Sequence, residues 1–320
     1  MGSGWPILAL SPGRAQLFDR DRVLEYTGSI GAPEREALLE QCDAAFFAPG
    51  SVRPAQREES GEGLYWDPPG RELREFLSFC RASAVNAGGL RCATREAFPL
   101  PLEALRLGGE WSTAFPIARM HARDASLGLA AVTPDAPGPP RKLVWFNPAG
   151  KPELPVARAE AEAVFEILEQ SPGPARFIAR GLSDHEWYEL YDSHDVVFYY
   201  GHGQSVAGHP AILTRNGRAP FFAPLADEPE SSESADRRCL VFAACLSGGA
   251  QVVFRNQSGA VVYPLCRLAD RSSEYLPDFC RAFAQGASVP AALLAAARAD
   301  AARGDLRRFL FRLQGVGRFC

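Results

Sequence analysis

Asp195-Val196-Val197-Phe198-Tyr199-Tyr200-Gly201-His202-Gly203 and Cys239-Leu240-Val241-Phe242-Ala243-Ala244-Cys245-Leu246-Ser247-Gly248-Gly249 are the stretches that decide how this chain folds. Each is a short, continuous apolar run that gives way to glycine. A run of that length, rich in β-branched and aromatic side chains, reads as a strand buried on both faces of a parallel sheet. Open α/β sheets carry their reactive groups just past the carboxyl ends of such strands. Two neighbouring strands would therefore bring the His202 imidazole and the Cys245 thiol to one edge. Nucleophilic thiol chemistry needs that geometry, because the base must reach the thiol wherever the two stand in sequence. Taken singly, neither residue says much: a buried free cysteine is a common small hydrophobe. The pair says more, because Gly203 and Ser247-Gly248-Gly249 let backbone approach a bound molecule closely.

Working outward, the chain alternates strand-like and helix-like segments. Leu143-Val144-Trp145-Phe146-Asn147-Pro148 is strand-like, and residues 155–170 form a helix with proline in its first turn. Arg176-Phe177-Ile178-Ala179 is a short strand, and residues 183–191 form a helix capped by Ser183 or Asp184. The His202, Cys245 and Val261 strands follow. Strands alternating with helices predict a parallel sheet with crossover helices, an α/β/α sandwich with a mostly parallel sheet. Upstream, residues 5–10 read as a strand, 33–42 and 71–84 as helices, and 50–70 as a loop. The run Pro134-Asp135-Ala136-Pro137-Gly138-Pro139-Pro140 is the strongest linker. It predicts an N-terminal α/β half over 1–140 and a second half, carrying His202 and Cys245, over 141–320.

Apolar strand, His-Gly, spacer, apolar strand, Ala-Cys: this order resembles the signature of caspase-like cysteine peptidases, and within them the CHAT domain family. Supporting segments are Pro101-Leu102-Glu103-Ala104-Leu105 and Leu154-Pro155-Val156-Ala157-Arg158-Ala159-Glu160-Ala161. Gly259-Ala260-Val261-Val262-Tyr263-Pro264-Leu265 follows the cysteine, and the ending carries residues 279–286 and 289–293 in place of the family's helix pair. Together these cover roughly residues 70–318. The chain departs from the family where a Trp-Pro element with a following acidic pair is usual: Tyr263 replaces the tryptophan, and Cys266-Arg267 the acids.

The resemblance implies a caspase-like fold, with a degenerate caspase-like lobe admitted in the first half. It also implies a cysteine endopeptidase with a His202/Cys245 dyad. Cys245 would attack the scissile carbonyl and His202 would protonate the leaving amine. Backbone N–H groups of Gly203 and Cys245 would hold the oxyanion, such donors being worth about 3 kcal/mol each. Stand-alone bacterial relatives resemble defence or cell-death proteases. That implies a protein substrate, for example a gasdermin-like pore former, and an activating sensor protein as partners. For the primary specificity pocket the candidates are Arg267 and Asp270, with Glu274 next. A buried arginine would select Asp or Glu and a buried acid Arg or Lys, and the sequence leaves acidic, basic and apolar preferences open. Two rival readings remain: a non-catalytic CHAT-like scaffold, and an esterase or acyl transferase, for which no Gly-x-Ser-x-Gly motif speaks.

The remaining histidines are weaker candidates. His209 sits in Gly208-His209-Pro210 and reads as a turn. His194 lies at the amino end of the His202 strand, and His121 and His185 have no motif around them. Asp195 stands at the opposite end of that strand from His202, so no third catalytic carboxylate is expected. Residues 219–238, which include Asp227-Glu228-Pro229-Glu230-Ser231-Ser232-Glu233-Ser234, read as a mobile surface loop, and the resemblance to caspase-like enzymes adds a second reading, a substrate-facing or processing loop.

Composition narrows the remaining choices. At 320 residues with 47% hydrophobic content the chain can build a substantial core. A net charge of −4 without a basic stripe argues against nucleic acid as a partner. The eight cysteines show no Cys-x-x-Cys spacing and no zinc-like His interval, so neither a metal nor another cofactor is expected. No stretch approaches the ~20 apolar residues of a membrane helix, and no basic-then-apolar signal segment opens the chain. The expectation is a reduced, cytoplasmic protein that does not contact the membrane.

Overall fold

The computed structural model describes residues 5–11, 13–19, 22–28, 30, 68, 70–94, 102–121, 139–150, 152–206, 209–215, 217–220, 239–244, 260–264, 273–305 and 311–314. The chain falls into two compact units, Met1–Thr133 with Leu293–Leu310, and Pro134–Ala292 with Phe311–Cys320. The linker stretch thus opens the second unit, while residues 293–310 join the first.

The first unit contains β1 (Ile7–Ser11), β2 (Arg14–Asp19), β3 (Arg22–Thr27), α1 (Arg71–Ala87), β4 (Leu90–Thr94), α2 (Trp111–Ala114) and β5 (Ile117–His121). Its strands run in the order β3-β2-β1-β4-β5. The β1–β2 and β2–β3 pairs are antiparallel, whereas β1–β4 and β4–β5 are parallel. On α1, Leu73, Leu77, Cys80 and Ala84 recur at helical spacing and pack in one core with Leu8, Leu10, Leu17 and Cys92 of the strands. The helix runs three residues past the expected 84 and stops at Gly88, whose φ of 78° suits glycine at a helix end. The expected helix over 33–42 lies outside the described residues, as does the expected loop over 50–70 apart from 68 and 70.

The second unit is an α/β/α sandwich. Its elements are β6 (Lys142–Phe146), α3 (Pro155–Glu169), β7 (Ala175–Ile178), α4 (Asp184–Ser193), β8 (Val196–Tyr200), β9 (Gln204–Val206), β10 (His209–Thr214), β11 (Gly217–Pro220), β12 (Cys239–Ala243), β13 (Ala260–Pro264), α5 (Tyr275–Ala284) and β14 (Phe311–Gln314). A further helix, α6 (Val289–Ala302), starts here and continues into the first unit. The main strand order is β14-β13-β12-β8-β6-β7. All neighbours are parallel except β14, which runs against β13. Every residue of β6, β8, β12 and β13 is buried, as continuous apolar runs covered on both faces require.

Alternation along β8 assigns the two faces. Val197 and Tyr199 join Leu143, Trp145, Leu240, Phe242 and Val261 in a core closed by Trp187 and Leu190 of α4. Trp145 stacks on Trp187, with ring centroids 5.0 Å apart. Phe198 faces the other way and meets Phe279 of α5, beside which α3 packs. Helix α4 begins with a full capping box: Ser183 Oγ accepts from Glu186 N, and the Glu186 carboxylate accepts from Ser183 N at 2.8 Å. Ser183, rather than Asp184, is therefore the cap.

Three short strands, absent from the sequence reading, form a separate antiparallel sheet in the order β11-β10-β9. They correct one expectation: His209 and Pro210 are not a turn but the first two residues of β10, opposite Val206 and Ser205. Among the described residues β11 pairs with β10 only from Ala211 onward, and a strand end is where proline is tolerated. The expected loop over 219–238 is shortened at its start, since Ala219 and Pro220 end β11; residues 221–238 lie outside the described residues.

Candidate functional site

His202 stands two residues beyond β8, at the carboxyl edge of the parallel sheet. The exits of β6 and β8 are tied together by Asn147 N, which donates to Tyr200 O at 2.7 Å. The chain leaving β6 then turns back, and Pro152 O lies 2.7 Å from His202 Nε2. A carbonyl oxygen only accepts, so Nε2 must carry a proton. In the neutral ring that leaves Nδ1 with its lone pair, and among the described residues no hydrogen bond reaches Nδ1. The ring lies against Gly150, where a Cβ would come within 2.6 Å of His202 Cδ2 and 3.0 Å of Leu213 Cδ1. Gly150 also has φ +108°, so a side chain is refused there twice, by strain and by the imidazole.

Three groups that sequence reasoning missed hold this histidine. Pro152 contributes only its backbone carbonyl, which no residue pattern announces. Asn147 is 1% exposed, and Tyr199 is fully enclosed. The Tyr199 hydroxyl donates to His202 O at 3.0 Å, while Asn147 Nδ2 reaches Leu213 O at 2.7 Å and Tyr199 Oη at 3.4 Å. The available signal was the polar Asn147 closing an otherwise apolar strand, since a buried amide must find partners.

Cys245 lies outside the described residues. Its strand does not: Ala243 is the register partner of Tyr200 in the parallel β8–β12 pair. His202 follows Tyr200 by two residues, as Cys245 follows Ala243. Gly203 is half-buried at the same edge as His202. Arg267 and Asp270 lie outside the described residues. Glu274 is exposed and paired with Arg281 at 3.1 Å, an ion pair local to α5 and its N-terminus rather than a buried pocket acid.

The other candidates are engaged elsewhere. His194 closes the end of α4, with Nδ1 2.7 Å from Leu190 O, and burial pushes its pKa down. His185 is exposed beside Glu189 on the same helix. Asp195 is taken by Arg141 at the amino edge of the sheet. His121 ends β5 in the first unit. Four cysteines, Cys80, Cys92, Cys239 and Cys280, are free and buried. Burial pushes the Cys92 thiol up to about 11 and those of Cys80 and Cys280 higher still, which keeps them protonated and inert. Among the described residues no group of three or more His, Cys, Asp or Glu could hold a metal ion, and no helix is long and apolar enough to cross a membrane.

What the arrangement can do chemically is take up a proton. The imidazole is oriented through one nitrogen, and the other presents a lone pair at a sheet edge lined with glycine. No protein-family model and no curated protein sequence matches the chain.

Proposed function

We propose that this chain is a caspase-like cysteine endopeptidase in which Cys245 is the nucleophile and His202 the acid/base. The observation that carries the reading is the state of His202: it is anchored through Nε2 to Pro152 O beside β12, the strand whose sequence runs on to Cys245. The equal two-residue offsets from a matched register pair support bringing the two side chains to one edge.

In this mechanism the Cys245 thiol gives its proton to Nδ1 of His202. The sulfur adds to the scissile carbonyl carbon, and the N–H groups of Gly203 and Cys245 receive the oxyanion. As the C–N bond breaks, the proton passes from His202 to the leaving amine. Water then hydrolyses the thioester, with His202 taking its proton and returning it to the departing thiolate. The resemblance to CHAT domains extends the proposal to a bacterial defence or cell-death role. A gasdermin-like pore former would be the protein substrate and a sensor protein the activator.

A peptide acyloxymethyl ketone tests the core of the proposal. It should alkylate Cys245 in the intact protein, as read by peptide mass mapping. Cys245→Ala should abolish both labelling and peptide cleavage while the melting temperature stays put. Undiminished cleavage by the Cys245→Ala protein would overturn the assignment. A folded protein that neither cleaves nor is labelled would favour the scaffold reading.

A further inference from the structure

We propose that Asn147 and Tyr199 are positioning residues, a buried brace that fixes the orientation and tautomer of His202. The inference rests on the peptidase reading for its consequence in catalysis, but the brace itself is a matter of geometry. Three segments meet at it: the exit of β6, the exit of β8 and the strand β10.

Each atom of the Asn147 amide has an assigned partner, and chemistry fixes which way round it lies. Ala149 N is a donor, so the atom 3.1 Å from it must be Oδ1. Leu213 O is an acceptor, so it must receive Nδ2. The second Nδ2 proton points at Tyr199 Oη, which spends its own proton on His202 O. Burial pushes the Tyr199 phenol above its ordinary pKa, so the hydroxyl keeps its proton at neutral pH.

The brace reaches His202 from both sides. Through Tyr199 it holds the backbone of His202. Through the bond from Ala149 N to Asn147 Oδ1 it shapes the turn that leads to Pro152 O, the acceptor for Nε2. Backbone and ring are thus tied to one side chain by separate routes. Two glycines make room for it: besides Gly150 against the ring, a Cβ on Gly201 would stand 2.7 Å from Tyr199 Oη and 3.1 Å from Asn147 Cβ. Since real Cβ contacts avoid such distances, Gly201→Ala would have to push the Tyr199 hydroxyl off its bond.

A network serving stability alone would leave the ring nitrogens unchanged when cut. The test is therefore ring-15N-histidine NMR on the full chain, which has five histidines, with His202 assigned by signal loss in His202→Gln. The unmodified protein should show a single His202 tautomer, protonated at Nε2, with that proton slow enough in exchange to be observed. Tyr199→Phe keeps the ring that packs on Trp145 and Phe242, and removes only the hydroxyl. It should broaden the Nε2 proton into water and draw both ring nitrogens toward averaged shifts.

In turnover, Tyr199→Phe should lower kcat about 10- to 100-fold with KM nearly unchanged, the range for a misplaced catalytic group. Asn147→Ser decides the matter in the same way should Tyr199→Phe fail to fold. His202 signals that stay unchanged in a folded Tyr199→Phe or Asn147→Ser protein would overturn the brace, as would an Nδ1-protonated ring in the unmodified protein. Signals that move as expected while the ketone never labels Cys245 would keep the brace and sink the peptidase reading.

Discussion

The two ends of the parallel sheet in the second unit treat their polar groups in opposite ways. At the amino end, Lys142 Nζ is buried against four acceptors: Leu168 O, Ser171 O, Ser171 Oγ and Pro172 O, at 2.6–3.1 Å. Beside it Asp195 accepts from Arg141 N, Nε and Nη2, and His194 is committed to the end of α4. Lys142 and Asp195 are each matched by partners from their own neighbourhood. At the carboxyl end the partners serve one group, His202, and among the described residues none engages its Nδ1. The first arrangement is what stability asks of buried polar groups; the second withholds a hydrogen bond where chemistry needs a lone pair. The contrast teaches that an imidazole engaged through one nitrogen at the strand exits, more than burial or charge, separates the candidate site from the amino edge.

The sharpest way to break this contrast is to remove the imidazole. His202→Ala should cost about 10²–10⁴ in turnover, the usual worth of a positioned acid/base group. Its side chain is only half-buried and contributes one hydrogen bond, so the fold should lose no more than about 1 kcal/mol. Peptide turnover and urea melts on the same preparation check the pair of outcomes. Turnover within threefold of the parent, or a protein that unfolds, would place His202 on the structural side of the comparison.

How much of this was legible beforehand depends on what each feature is made of. β8 and β12 could be read because burial on both faces leaves no polar residue in either run, a property of the strand itself. The helix at 183–193 could be read because Ser183 and Glu186 form their box within four residues. β9, β10 and β11 could not: they are short and punctuated by Gly208, Pro210 and Gly217, and of β10 only Ile212 joins the main core among the described residues. At the site, His202 announced itself by its place after an apolar run. Its anchor did not, because the acceptor is a backbone carbonyl fifty residues upstream, and a carbonyl at Pro152 looks like a carbonyl anywhere. Asn147 and Lys142 share that difficulty. Each is a polar residue flanking an apolar strand, and only the packed chain shows that its partners come from β10 in one case and from residues 168–172 in the other.

At the amino end the expected effects are on stability. Lys142→Met keeps the aliphatic stem but leaves the carbonyls past α3 without their cation, where positive charge also complements the helix end. Hydrogen bonds to charged groups are worth about 1.5–3 kcal/mol, so a loss of that order is expected in denaturant melts. Burial already pushes the Lys142 pKa down, and the surrounding carbonyls keep the ammonium in place. Activity per folded molecule should not change. A Lys142→Met protein of parental stability and lowered turnover would mean that the two edges are coupled, contrary to the division drawn above.

Asp195→Asn should have the smallest effect and the most informative pH dependence. Burial pushes the Asp195 carboxyl up, but hydrogen bonds from the Arg141 side chain and backbone, with its charge, outweigh burial and hold the pKa below the ordinary carboxylate range. Because Arg141 is about half exposed, solvent screens the pair, and it is worth only about 0.5–1 kcal/mol. A folded-state pKa below the unfolded value of about 4 means that the native protein releases this proton more readily than the unfolded chain. The contribution is therefore complete at neutral pH and begins to fade as the pH drops below that unfolded value. It is gone once the pH has passed through the lowered native one. Measured against pH, the parent should exceed Asp195→Asn by a constant margin above about pH 5, and the margin should close on acidification below about pH 4. His194 and Arg141 are the charged neighbours in reach. Arg141 keeps its charge throughout; His194, whose pKa burial pushes down, is replaced by glutamine in both proteins so that its titration does not enter the margin. A gap that persists unchanged at the acid end would mean that the asparagine NH2, which cannot accept from Arg141 as the second carboxylate oxygen does, causes the loss rather than the missing charge. The amino edge would then owe its saturation to geometry rather than charge.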